Sequence, residues 1–290
     1  MKRVTPDDTW LESWRYSYPY DLEEVYGQVS CHGYAYAYEN RRDRTLALVE
    51  EVVPRGSRIL DVAAAQGNFS LTLAERGYRV TWNDLRADLV DYVKLKHEHG
   101  DITFAPGNVF ELEFNRVFDC VVATEVIEHV AHPDDFLKKL SQMVRPGGYV
   151  VLTTPNGAYF RNHLPRFSEC ADPSVFESVQ FKPNADGHIF LLWPDEVERL
   201  AEQFDAGAAR RVHDPADQWS RQARHRLATA APTGRLRGGE ARLTSATVVE
   251  AQADGAHRRA LPAGIGGFRH QPRRRPACPV SCPLTAGFFG

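Results

Sequence analysis

Two carboxylates and an imidazole crowd one short stretch of this 290-residue chain, Thr124-Glu125-Val126-Ile127-Glu128-His129-Val130. On a helical turn, side chains three apart face the same way, so Glu125 and Glu128 point together with His129 beside them. Such a set can do two kinds of chemistry. His129 can remove a proton as a general base. Alternatively, the three side chains can hold a divalent ion such as Mg²⁺ or Mn²⁺, which lowers the pKa of an acceptor hydroxyl and fixes its oxygen. In a purely structural role, Glu128 and His129 would cap a short helix and orient the loop. The stretch directly follows Phe118-Asp119-Cys120-Val121-Val122-Ala123, whose apolar run reads as a buried strand.

A second constellation precedes it. Arg58-Ile59-Leu60-Asp61-Val62 reads as a buried strand that gives way to Ala63-Ala64-Ala65-Gln66-Gly67 and then to a helix with Asn68 as its expected N-cap. Small residues between a strand and a helix let a ligand approach the backbone and the helix N-terminus. Beyond this turn, the strand Tyr78-Arg79-Val80-Thr81-Trp82-Asn83 ends on Asp84, twenty-three residues after Asp61. An acidic residue at that distance can accept both hydroxyls of a ribose. These residues point to a nucleoside-containing cofactor.

Five blocks in register make the reading specific. Asp61 to Gly67 resembles the D-V-G-x-G-x-G motif of class I S-adenosylmethionine-dependent methyltransferases, and Val80 to Arg86 resembles their second motif. Asn108 stands where that family usually has an aspartate beside the adenine. Phe118–Ala123 and Val144–Asn156 match its fourth strand and its turn-plus-fifth strand, so the resemblance covers residues 57–156. It implies S-adenosyl-L-methionine as cofactor, with Asp61, Ala63, Ala65 and Gly67 at the methionine end, Asp84 at the ribose and Asn108 at the adenine. Thr124 and Glu125 would border the reacting centre. Ala63 and Ala65 depart from the motif's glycines. Alanine allows a close backbone approach but disfavours positive φ, so weakened cofactor affinity is expected.

The E-x-x-E-H pattern is similar to two groups within that class. One is the ubiquinone-biosynthesis O-methyltransferases, which act on catechol-like rings. The other is the small-RNA 3′-terminal 2′-O-methyltransferases, in which a further histidine downstream completes a metal site. His188, in Asp186-Gly187-His188, stands in the corresponding place, so this resemblance implies Glu125, Glu128, His129 and His188 as metal ligands.

These residues need elements to hold them. Strands are expected at 57–62, 78–83, 101–105, 117–123 and 149–154, and helices at 68–76, 87–98 and 133–144, the last opened by Pro133 with Asp134 and Asp135. Alternating strands and helices predict an α/β, Rossmann-like doubly wound fold, its mostly parallel sheet covered on both faces. Residues 1–45 form an aromatic-rich N-terminal segment read as a lid, in which Tyr34, Tyr36 and Tyr38 alternate like half a strand. From Asn40 to Val53 the periodicity is helical, and Arg41, Arg42 or Arg44 could reach the methionine carboxylate. Residues 46–204 form the methyltransferase domain. Within it, 157–187 is a long insertion whose Phe160, Phe167, Phe176 and Phe181 suggest a substrate-facing role.

Composition narrows the partners. The formal net charge of −3 conceals an asymmetry, since residues 205–290 hold 14 arginines, no lysine and 6 acids, and the preceding part is strongly acidic. An acidic catalytic part argues against nucleic acid and for a small-molecule acceptor. Five scattered cysteines, no secretory signal and no long apolar run suit a cytoplasmic protein without a membrane span. The segment 205–290 is rich in Arg, Ala, Pro and Gly, and it shows no closing hairpin. It is expected to be disordered or the product of a shifted reading frame, leaving the C-terminal part of the fold incomplete. The leading expectation is O-methylation of a small molecule. The alternatives are a metal-dependent RNA 2′-O-methyltransferase and an inactive binding protein with the same fold.

Overall fold

The computed structural model describes residues 1–30, 32–160, 162–182, 187–203, 206–212 and 244–251. Its centre is a parallel sheet. In chain order, β1 (Arg58–Val62), β2 (Arg79–Asn83), β3 (Asp101–Phe104), β4 (Phe118–Thr124) and β5 (Val144–Pro155) alternate with α3 (Asn68–Glu75), α4 (Leu89–Lys96) and α5 (Pro133–Met143). The spatial order β3-β2-β1-β4-β5 places a topological switch between β1 and β4, where ligands of such sheets bind beyond the strands' carboxyl ends. Two N-terminal helices, α1 (Glu12–Glu24) and α2 (His32–Val52), precede the sheet, and α6 (Pro194–Glu202) follows it.

Period-two alternation divides the core. Leu60, Val62, Val121, Ala123, Val150 and Leu152 face α5 and α6 on one side of the sheet. Ile59, Cys120, Val122 and Val151 face α2 and α3 on the other. Fully burying each valine, leucine or isoleucine among them stabilises the fold by about 1.5–3 kcal/mol. A third cluster joins Val4 and Trp10 of the N-terminal segment to Trp82 on β2 and to Leu89, Tyr92 and Val93 on α4. The N-terminal segment therefore packs directly on β2 and α4.

Three local expectations change. Tyr34, Tyr36 and Tyr38 lie in α2, which starts at His32 rather than near Asn40. Their spacing of two spreads the rings around the helix, so that Tyr38 is buried while Tyr36 is 59% exposed. Asn68 is the first residue of α3 and Gly67, at φ +76°, is the cap, because the side chain of Asn68 is engaged elsewhere. At the far edge, β6 (Ala206–Val212) and β7 (Thr244–Ala251) fall in the segment that shows no closing hairpin in the sequence. β7 runs antiparallel to β5 from Gly148↔Ala251 to Pro155↔Thr244, and β6 pairs antiparallel with β7. The β-branched run Thr247-Val248-Val249 suits a strand that satisfies the open edge of β5. The remainder of 205–290, with the expectation of disorder or a frame shift there, lies outside the described residues.

In the 157–187 insertion, Phe167 and Phe176 pack edge-on against Phe190, and Phe160 is 70% exposed. No helix among the described residues is long and apolar enough to cross a membrane.

Candidate active site

The turn between β1 and α3 bends through left-handed backbone at Ala63 (φ 53°), Ala65 (φ 48°) and Gly67 (φ 76°). Two alanines thus adopt a conformation that costs roughly 1–2 kcal/mol for an L-residue. The surroundings hold the bends. Ala64 N–H donates to the Asn83 carbonyl at 2.8 Å and Gly67 N–H to the Ala64 carbonyl at 2.8 Å. Ala65 N–H donates to Asp84 Oδ2 at 2.8 Å, and the Trp82 indole N–H donates to the Ala65 carbonyl at 3.0 Å. A Cβ on Gly67 would lie 2.9 Å from both methyls of Val93, so only glycine fits there.

Asp61 lies beneath this turn, where β1 is buried. Its Oδ2 accepts from the Ser70 hydroxyl at 2.5 Å, while Oδ1 is buried without a partner among the described residues. Burial pushes its carboxyl up to about 7 against the pull of Ser70. Asp84 ends β2 as expected, but both of its oxygens are engaged. Oδ1 accepts from Arg86 N–H at 2.9 Å and Arg86 Nε at 3.0 Å, and Oδ2 takes Ala65 N–H. The Arg86 side chain is 38% exposed, so it can swing away from Asp84. Asn108 uses Oδ1 to accept from Phe110 N–H at 3.1 Å. It lines a cleft of about 420 Å³ with Phe110, Val130, His132 and Phe181.

At the end of β4, Thr124 pairs in register with Thr153 of β5. Glu125 follows at φ 56° and turns its side chain toward α2. There its Oε2 lies 3.3 Å from Arg41 Nη1, and its Oε1 accepts from the Thr153 hydroxyl at 3.1 Å. The Arg41 side chain is largely buried, with 15% of its surface exposed. Burial works against its charge, yet Glu125, Tyr34 and Glu24 outweigh burial and raise its pKa above the ordinary value. Its guanidinium also stacks 5.3 Å from the Tyr38 ring. Sequence reasoning named Arg41 beside Arg42 and Arg44, but only the three-dimensional course of α2 singles it out.

Glu128 and His129 lie in a single 3₁₀ turn, Ile127–His129. Glu128 is wholly buried. Its Oε2 accepts from the Thr154 hydroxyl at 3.1 Å, and its Oε1 has no partner among the described residues. Burial, with Glu125 adding to it, holds Glu128 well above the usual carboxylate range. Burial also lowers the pKa of His129, while backbone hydrogen bonding with Gly187 and Lys182 works the other way. The end of the insertion and the residues just after it clamp this turn, since Phe181 N–H donates to the His129 carbonyl at 2.9 Å and Ile189 N–H to the Glu128 carbonyl at 2.7 Å. The same clamp brings His188 within 4.7 Å of the His129 ring.

The four proposed metal ligands do not all converge. Glu128, His129 and His188 can offer ligand atoms within 4.8 Å of one another. Glu125 lies outside this trio because its left-handed backbone aims the carboxylate at Arg41 and Thr153. Sequence spacing alone could not foresee that, as it assumed a regular helical turn over 125–129 in which Glu125 and Glu128 share a face.

Comparison with known proteins bears on the family and the fold. The methyltransferase domain family matches residues 34–206. The ubiquinone biosynthesis O-methyltransferase of Rickettsia canadensis is 33% identical over 100 residues, covering 34% of this chain and 42% of that protein. The chain thus spans about two fifths of the length of that curated relative. The demethylmenaquinone methyltransferase of Paenarthrobacter aurescens is 27% identical over 178 residues, covering 58% of this chain and 69% of its own. Among solved structures, magnesium protoporphyrin IX methyltransferase from Synechocystis PCC 6803 shares the fold with a TM-score of 0.53 at 12% identity, over 83% of this chain and 94% of that one. The chain belongs to the methyltransferase domain family and has the Rossmann-like fold of its class I members.

Proposed function

We propose that this member of the methyltransferase domain family transfers a methyl group from S-adenosyl-L-methionine to an oxygen of a small-molecule acceptor. The observation that carries the reading is the turn over residues 63–67, bent as a ligand-binding turn although two of its positions are alanine, above the unpartnered Asp61 Oδ1. A buried polar atom with no partner is costly, and a bound ammonium or hydroxyl would satisfy it. Bound there, S-adenosylmethionine supplies an electrophilic methyl on a sulfonium. Asp61 and the 63–67 turn hold the methionine end, with Arg41 the cation available for its carboxylate. Asp84 holds the ribose once Arg86 yields, and Asn108 lies at the adenine end.

Beyond binding, the protein has to position the acceptor and take its proton. His129 is the group that can take it. Burial lowers its pKa, which favours the uncharged imidazole, and its buried Nδ1 is unpartnered among the described residues. Thr124 and Glu125 border the reacting centre. Glu125 anchors Arg41, and Glu128, whose pKa burial raises, braces the turn through Thr154. Aromatic residues of the N-terminal segment and of 157–187 enclose the acceptor. The quinone-pathway names of the curated relatives support an aromatic hydroxyl as acceptor, and the acidic domain supports a small molecule over nucleic acid. Free Cys120 and Cys170 suit a reducing, cytoplasmic setting.

A second reading adds a divalent ion. Glu128, His129 and His188 would hold Mg²⁺ or Mn²⁺, which would polarise the acceptor oxygen in place of a base. The unpartnered Glu128 Oε1 and His129 Nδ1 favour it, and the loss of Glu125 from the set weighs against it. Methyl transfer from labelled S-adenosylmethionine to catechol-type acceptors, with and without EDTA, tests both readings. Activity that resists EDTA supports the base, and activity that requires added Mg²⁺ or Mn²⁺ supports the ion.

A further inference from the structure

Lys96, at the end of α4, is a fully buried ammonium that the reaction derived above does not use. Its Nζ reaches both oxygens of Asp21 on α1, at 2.8 and 2.7 Å. It also donates to the Gln66 carbonyl at 2.9 Å and to Asn68 Oδ1 at 2.6 Å. Asp21 is equally buried and takes a further bond from the Tyr92 hydroxyl at 2.7 Å. Three residues farther along α1, Glu24 accepts from Gln66 Nε2 at 3.1 Å, from Asn68 Nδ2 at 2.8 Å and from the Tyr34 hydroxyl.

Gln66 and Asn68 flank Gly67 in the turn, and each is held twice. Lys96 takes the carbonyl of Gln66 and the side-chain oxygen of Asn68, while Glu24 takes the side-chain nitrogens of both. Val93, one turn before Lys96 on α4, closes the space beneath Gly67. A buried ion pair is a poor source of stability, because desolvation offsets much of its attraction and apolar residues of like size often serve as well. What it can supply is one particular geometry, here the course of the turn that Ala63 and Ala65 resist.

We propose that Lys96, Asp21 and Glu24 are positioning residues that lock the 63–67 turn into its ligand-binding shape and make that shape depend on the seating of α1. The inference rests on the reading that this turn holds S-adenosylmethionine. Because coupling between two equilibria is reciprocal, a ligand in the turn must in return stabilise α1 on α4.

The experiment compares the full-length protein with Lys96→Met/Asp21→Leu, which removes both charges of the pair together and leaves Glu24 on its own partners. S-adenosylhomocysteine binding is measured by calorimetry below each melting temperature, with KM and kcat alongside. Hydrogen exchange of Glu12–Glu24 is followed in the wild-type protein with and without the ligand. The double variant should melt below the wild type, because the Tyr92 hydroxyl, the Gln66 carbonyl and Asn68 Oδ1 each lose a partner. While folded it should bind at least about tenfold more weakly, with KM raised in step and kcat at saturation little changed. In the wild type, the ligand should slow exchange across α1, a readout that stands even if the variant fails to fold. Wild-type binding with unchanged affinity in a folded double variant, or with α1 exchange indifferent to ligand, overturns this inference alone. No binding by the wild type overturns the methyl-donor reading and this inference with it.

Discussion

Arg41 of α2 and Glu125 at the end of β4 meet at 3.3 Å and join the N-terminal helices to the strand end where the reaction is placed. Neither position owes this to local sequence. Glu125 reaches Arg41 because its backbone is left-handed, and Arg41 is largely buried because α2 packs on the face of the sheet that carries Ile59, Cys120 and Val122. Arg41→Met should weaken S-adenosylhomocysteine binding about tenfold or more, the cost of losing a charge-assisted bond to a carboxylate. Arg41→Lys should recover only part of it, because an ammonium lacks the guanidinium fork. Calorimetry on both variants checks the order wild type, Lys, Met.

His129→Ala should lower turnover by roughly 10²–10⁴-fold, the usual contribution of a positioned base. Cofactor affinity should barely change if, as proposed, the imidazole serves the acceptor's proton rather than the nucleoside. Steady-state kinetics with calorimetry separates the two effects. Full turnover in the variant would make the 125–129 turn a structural cap.

The turn alanines give a prediction about backbone. Ala63→Gly and Ala65→Gly relieve left-handed strain worth roughly 1–2 kcal/mol each, less about 0.4–1 kcal/mol for the greater freedom of glycine in the unfolded chain. Each should leave stability unchanged or raise it by up to about 1.6 kcal/mol, and cofactor affinity should rise as the turn relaxes. Gly67→Ala should do the reverse, because its Cβ meets Val93 at 2.9 Å. Urea melts of the three variants report the sign directly.

Asp61 gives a pH prediction. Its folded pKa is raised from 3.8 to about 7, so between those values the folded state holds a proton that the unfolded chain releases. Stability should therefore fall as pH climbs from about 4 to 7 and level off above, once both states are ionised. Asp61→Asn should remove this part of the slope. Urea melts of both proteins across that range, taken as a difference, isolate Asp61 from the other buried acids.

Much of this was legible in the sequence, and the failures share a cause. The five parallel strands, the small-residue turn and Asp84 at the end of β2 follow from apolar runs, loop composition and motif spacing, which are local properties. The misread features depend on contacts distant in sequence. Tyr34, Tyr36 and Tyr38 alternate like a strand, but α2 docks on the core and keeps only Tyr38 fully inside. Asn68 has the chemistry of an N-cap, but Glu24 and Lys96 claim its side chain. Glu125 leaves the expected ligand set for Arg41, which precedes it by more than eighty residues. The Lys96 network gave no signal at all, since a lysine at a helix C-terminus ordinarily faces water.

The most direct test of the central claim is calorimetric titration of the full-length protein with S-adenosylhomocysteine, beside Asp84→Ala. Charge-assisted bonds to ribose hydroxyls are worth roughly 1.5–3 kcal/mol each, so the variant should bind at least about tenfold more weakly while remaining folded. Saturable one-site binding by the wild type, with that loss in the variant, is the predicted result. No heat from a folded wild-type protein, or equal affinity in Asp84→Ala, would contradict it.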